Sequence, residues 1–323
     1  MSDVNGWSVP EGYEVREARV EDAPAIAELM NLVPLAEVGV PWTNVEEVRD
    51  ELTSPGRAPG FADVMLTAAD GALAGYLSLD VTEGPVQVHA LAFVRPSLWG
   101  RGLSAYLLRL AEARCRAETS ARREPVMLRV SRFTGNAAAG RLFAALGYGR
   151  VRTFWMMRIE LREAPPVRVP EGITIRTFRP GTDDAATHAT LAEGFVDHWG
   201  AFPAFEEWRH HEIEGEGSLF DPSLWFLALD GDEVVGAACC RPSSPRVEDT
   251  AQVSELAVRR PWRRRGVALA LLQTAFAELH RRGIPAAELA VDAQNPTGAT
   301  RLYERAGMKE VLSWDVWEKR LEP

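Results

Sequence analysis

Between Val258 and Leu272 the sequence reads VRRPWRRRGVALALL, with five arginines in seven residues ahead of a glycine and an apolar run. The apolar spacing of Leu269, Leu272, Phe276 and Leu279 predicts a helix that opens directly after this turn. The first amides of a helix have no internal partners and carry partial positive charge, so the turn suits an anion such as a pyrophosphate. Gly266 and Ala268 are small enough to leave those amides accessible, while Arg263, Arg264 and Arg265 add charge at the rim. A solvated basic turn or a nucleic-acid patch has the same arginine content. A formal net charge of -10 opposes a polyanion partner, and a strand before the turn with a helix after it favours the anion site.

The elements that position this turn occur twice. VPEGYEVREA from Val9 returns as VPEGITIRTF from Val169, and RLFAALGY from Arg141 returns as RLYERAGM from Arg301, both at an offset of 160 residues. Between these anchors, Asp70-Gly71 and Asp230-Gly231 each read as a turn joining two strands. Each copy is expected to contain a first strand, one or two helices and a hairpin. A strand feeding the turn, a long helix, a further strand, a short helix and closing strands complete it. The expected fold class is α/β, a mixed α+β sheet flanked by helices in each of two tandem domains, residues 1–162 and 163–323. Pro165, Pro166 and Pro170 in LREAPPVRVPEG preclude both helix and central strand there, which makes this segment the linker.

Composition sets further limits. With 46% hydrophobic and 25% charged residues the chain has the make-up of a globular protein. No stretch of ~18 apolar residues occurs, and the first residues lack a basic region followed by an apolar run, so no membrane association and a cytoplasmic location are expected. Cys115, Cys239 and Cys240 are too few and wrongly spaced for a disulfide framework and are expected to be buried thiols. The adjacent pair should face opposite sides of a strand.

The turn resembles the acetyl-CoA signature of the GNAT superfamily, Gln/Arg-x-x-Gly-x-Gly/Ala, met here by Arg263, Gly266 and Ala268. VDAQNPTGATRLYERAGM, from Val291 to Met308, is similar to the superfamily's second signature. The duplication extends the likeness to the tandem members of the superfamily, mycothiol synthase among them. The resemblance implies an acyltransferase that uses acetyl-CoA as co-substrate, without a metal, and moves the acetyl group to a primary amine of a small acceptor. It implies Tyr303 as general acid, with an aromatic anchor for its helix as the plain alternative. Glu255, on the strand before the turn, becomes the base, with a solvated strand charge as its alternative. Leu256, Ala257 and Val258 are implied at the thioester, where a backbone N–H is the expected oxyanion donor. Val267 and Ala268 are implied at the phosphates, and Asn295 at the CoA arm. Pro296 would suit the start of the following helix. His198 and Trp199, in FVDHWGAFPAFEEW, are candidates for the acceptor pocket, with packed structure as the alternative. Asp197, Glu206 and Glu207 in the same segment would suit a cationic amine.

The first copy departs from this pattern. RPSLWGRGLSAYLLRL, from Arg95, keeps glycines at 100 and 102, but Trp99 stands at the Arg263 position, Ser104 at that of Ala268 and Phe143 at that of Tyr303. Phe143 has no proton to give. Aligning Pro96 with Pro261 places Ala90 opposite Glu255, with His89 beside it as a substitute base or a core histidine. The first copy is therefore expected to be catalytically silent, with a possible second CoA site at Phe93, Val94, Gly100, Arg101, Gly102, Leu103 and Ser104. A non-catalytic acyl-CoA-binding or regulatory protein, and an acetyltransferase acting on a protein or peptide amine, are the other functions consistent with these residues. Either a monomer or a homodimer is expected.

Overall fold

The computed structural model describes residues 8–53, 61–82, 87–122, 124–200, 202–214, 219–244, 247 and 249–322. The first copy contains β1 (Tyr13–Glu17), α1 (Ala23–Val38), α2 (Val45–Thr53), β2 (Val64–Ala68), β3 (Leu73–Thr82) and β4 (Gln87–Val94). It continues through α3 (Leu103–Arg122), β5 (Val126–Phe133), α4 (Ala137–Ala145) and β6 (Gly149–Glu160). The second copy repeats the order with β7 (Ile173–Thr177), α5 (Asp184–Phe195), α6 (Phe205–Arg209), β8 (Trp225–Asp230) and β9 (Glu233–Arg241). Then come β10 (Thr250–Val258), α7 (Val267–Arg281), β11 (Ala286–Asp292), α8 (Ala299–Arg305) and β12 (Lys309–Leu321). Residues 161–172, the expected linker, contain neither helix nor strand.

Two compact units form, Met1–Thr153 with Trp314–Pro323, and Phe154–Ser313. In the first, the sheet order is β1-β2-β3-β4-β5 followed by the Trp314–Leu321 part of β12, which pairs antiparallel with Val126–Phe133. In the second, Phe154–Glu160 of β6 pairs antiparallel with β11, followed by β10-β9-β8-β7. The β4/β5 and β10/β11 ladders are parallel, whereas β4 on β3 and β10 on β9 are antiparallel, so each sheet is mixed. These units differ from a division at residues 162/163 by an exchange of closing strands: each sheet is completed by a segment from the other copy. β6 and β12 are copies of one strand with closely similar burial patterns, so each fits the edge of the other's sheet.

Every sheet carries a core on both faces because its strands alternate. Cys239 packs with Trp208 and Trp225 on one face of β9 and Cys240 with Phe276 on the other, and all three cysteines are buried and outside any disulfide. The helix after the basic turn buries Leu271, Leu272, Phe276 and Leu279 completely. Each such side chain contributes roughly 1.5–3 kcal/mol. Leu269 departs from the expected stripe: it is only partly buried and lines a cavity. The hairpin turns take the left-handed backbone their glycines permit, with φ of 82° at Gly71 and 60° at Gly231. Among the described residues no helix is long and apolar enough to cross a membrane, and no cluster of metal-ligating side chains occurs.

Candidate active site

In the second unit the parallel ladder between β10 and β11 covers Thr250–Gln252 against Ala286–Glu288 and then ends. Beyond it β10 continues on β9, while Leu289–Asp292 of β11 pair with Met157–Phe154, so the two parallel strands part. A bulge between Val253 and Glu255 marks the parting point, where the Ser254 hydroxyl donates to the Cys239 carbonyl at 3.1 Å. A cavity of about 670 Å³ enters the opening, walled by Leu256, Ala257 and Val258 on one side and Leu289, Ala290 and Val291 on the other.

The basic turn forms the mouth of this cavity. Gly266 caps α7 with a φ of 88°, and no side chain caps the helix, so its first amides are left for a ligand. Gly266, Val267, Ala268 and Arg264 line the cavity, whereas Arg265 is exposed and outside the lining. Arg263 lines it too, but its guanidinium is engaged in the fold. It donates to the carbonyls of Val258 at 3.0 Å and Gly194 at 3.1 Å, and to Asp197 at 2.9 Å. Asp197 also pairs with Arg260 at 2.7 Å, so this carboxylate ties the turn together and is not free for a cationic amine. Arg263 thus shapes the turn, and Arg264 is the rim arginine that reaches the cavity.

Asn295 and Tyr303 stand on the far wall. The Asn295 side-chain oxygen accepts from the Thr297 amide at 2.8 Å, leaving its amide nitrogen without a partner among the described residues. Pro296 lies in that turn and not in α8, whose cap is Gly298. Tyr303 packs into the core beneath α8, yet its hydroxyl makes no hydrogen bond to any described residue. Burial pushes this phenol up to about 12. Arg301 and Arg305, four residues apart on α8, also line the cavity and pair with no described residue. Their spacing along a helix, next to Asn295, is the signal by which the sequence could have shown them.

Glu255 does not line the cavity. It sits half-buried between the lining residues Ser254 and Leu256, and turns to the opposite, aromatic face of the sheet. There the Trp208 indole donates to its Oε2 at 3.1 Å. Burial, joined by the charge of Glu212, raises its pKa to about 8. His198 lines the cavity with its ring 5.3 Å from Phe195, whereas Trp199 packs 6.1 Å from Phe154 and is outside the lining.

The first unit repeats the turn without the flanking chemistry. The Trp99 indole donates to the Val94 carbonyl at 2.8 Å, the tie that Arg263 makes to Val258. Gly100 and Gly102 match Arg264 and Gly266 in their left-handed backbone, with φ of 79° and 82° against 62° and 88°. This register places Leu91 opposite Glu255, with Ser78 and Cys239 as their respective cross-strand partners, and corrects the alignment that put Ala90 there. The slip arises because two arginines precede Pro261 and one precedes Pro96. No bulge interrupts β4 against β3, and its ladder with β5 runs from Gln87 to Ala90. His89 is hydrogen-bonded to Ser131 at 2.9 Å, and burial lowers its pKa. Phe143 is buried against Trp317 and Tyr148.

The sequence profile of the acetyltransferase (GNAT) family matches residues 36–148 and again 188–308. The chain belongs to the GNAT family. It carries two GNAT regions and is an acyltransferase of the GNAT type. A mycothiol acetyltransferase from Geodermatophilus obscurus is 33% identical over 301 residues, covering 91% of this chain and 94% of that protein. The crystal structure of a GCN5-related N-acetyltransferase from Sphaerobacter thermophilus superposes with a TM-score of 0.82 at 33% identity, covering 98% of both chains. A tandem GNAT protein from the clavulanic acid biosynthesis pathway shares the fold, with a TM-score of 0.70 at 17% identity over 96% of this chain and 99% of its own.

Proposed function

We propose that this GNAT protein transfers the acetyl group of acetyl-CoA to a primary amine of a small acceptor, at one site in the second unit. What carries this reading is the opening between β10 and β11, with the unpartnered Tyr303 hydroxyl on one face of the sheet and Glu255 on the other. Acetyl-CoA, when bound, supplies the thioester carbonyl that the amine attacks. The α7 amides and Arg264 would hold its pyrophosphate, and the free Asn295 amide its arm. The cavity is about 670 Å³ and reaches from this anion site to Tyr303, which fits an extended, phosphate-bearing molecule.

Glu255 takes the proton of the acceptor's ammonium from the aromatic face. A backbone N–H among Leu256 to Val258 meets the charge that builds on the carbonyl oxygen. Tyr303 faces the departing sulfur. With its pKa near 12 it stays protonated beside a thiolate of about 8.5, so its main contribution is a hydrogen bond that strengthens as charge collects on sulfur. His198 borders the acceptor end of the cavity, while Trp199 serves packing. The first unit, with Leu91 and Phe143 in place of base and acid, is catalytically silent, although its turn retains the shape of a phosphate site.

The relatives' name suggests an acceptor of the mycothiol class. The test is incubation with acetyl-CoA and either mycothiol lacking its acetyl group or a panel of amino sugars and polyamines, followed by mass spectrometry. One added acetyl group on an amine, with release of free CoA thiol, is expected. Tight CoA binding with no acceptor consumed would instead favour a non-catalytic acyl-CoA-binding protein.

A further inference from the structure

Glu212 has no part in the chemistry described above, yet it belongs to the arm that holds the base. α6 runs directly into a wider helical turn at His210–Glu214, and this arm packs on β9 and β10 through Trp208. Trp208 and Glu212 are four residues apart along it, a spacing that brings side chains to one side of a helix. Trp208 donates to Glu255. Glu212 accepts from Arg241 at 2.9 Å through one oxygen. Arg241 and Cys239 are two apart on β9, hence on one face, and lie opposite Gln252 and Glu255 respectively. The second oxygen of Glu212 is buried and has no hydrogen-bond partner among the described residues. A buried acceptor without a donor destabilises the fold, so its persistence here calls for a function.

We propose that Glu212 is a positioning residue for the base: anchored by Arg241, it fixes negative charge beside Glu255 and makes that carboxylate a stronger base. The inference rests on the reading of Glu255 as the base. Burial and Glu212 both disfavour the charged form of Glu255, while Trp208, Cys239 and Arg241 favour it. His188 of α5, a further titratable group on this face, lies with its ring tilted 5.4 Å from that of Trp208 and is hydrogen-bonded to the Pro203 carbonyl. An amine loses its proton well above the ordinary carboxylate range. A base brought closer to that range takes the proton with a smaller uphill step.

Protonation of Glu255 can be read without turnover, from the pH dependence of the protonated-carboxyl infrared band that is absent in E255Q. In the full-length protein E212Q should lower its midpoint by roughly one unit, a tenfold change in the deprotonated fraction at fixed pH. E212D, which keeps the charge, should restore most of the wild-type midpoint. R241Q, which removes the neutralising cation, should raise it. Circular dichroism checks that each variant folds, and any one that does is informative because the three carry different expected directions. An unmoved midpoint in E212Q, or a lowered one in R241Q, overturns the proposal. Full turnover in E255Q would instead overturn the assignment of the base.

Discussion

The indole N–H of Trp208 donates to Oε2 of Glu255 at 3.1 Å, so the carboxylate proposed as base is held by a core tryptophan that is 1% exposed. Donation to the charged form lowers the pKa of Glu255, and loss of the donor must raise it. In Trp208→Phe the rising limb of kcat/KM against pH is expected to move to higher pH, with activity at pH 7 falling roughly tenfold, the scale of a hydrogen bond to a charged group. A shift toward lower pH would mean that the indole does not stabilise the carboxylate.

Glu255 also couples stability to pH. Its folded pKa of about 8 lies above the ordinary value of 4.5, so the native state holds a proton that the unfolded chain releases. Stability from this group is complete below about pH 4.5 and is lost as pH rises through about 8. Glu255→Gln, which carries no charge to bury, should melt close to wild type at pH 5. At pH 9 it should melt higher, by an amount on the order of a few kcal/mol. Parallel melting curves at the two pH values would contradict the raised pKa.

The two turns separate backbone strain from ligand binding. Gly266 and Gly102 have nearly equal φ, 88° and 82°, and an added Cβ meets nothing closer than Pro170 at 3.6 Å in the first case and nothing within 4 Å in the second. Alanine at either position should therefore cost about 1–2 kcal/mol through the left-handed backbone alone. Only Gly266→Ala is expected to raise the KM for acetyl-CoA as well. An equal rise in Gly102→Ala would show that the first unit takes part in catalysis.

The duplication, the hairpin turns and the glycine turn were readable from the sequence because each rests on local chemistry: repeated anchors, Asp-Gly pairs, and a small residue ahead of an amphipathic helix. Other features depend on contacts far apart in the chain. β6 and β12 match in pattern, so nothing along the sequence says which sheet each completes. The match of Glu255 to Leu91 and not Ala90 follows from the pairing of β10 on β9 and of β4 on β3, because one more residue separates Val258 from Pro261 than Val94 from Pro96. Arg263 has the residue type of a phosphate ligand, yet it bonds to Val258, Gly194 and Asp197. Glu212 stood among neighbouring acidic residues and histidines with no motif to single it out.

The most direct test of a single catalytic site is CoA thiol release by Tyr303→Phe and Glu255→Gln, measured with saturating acetyl-CoA and an accepted amine. Phe143 fills the equivalent place in the first unit, so Tyr303→Phe should fold normally. Each variant is expected to lose on the order of 10² or more in kcat, within the range for a displaced acid or base, while still binding CoA. Undiminished release from both variants would mean that acetyl transfer occurs elsewhere in the chain.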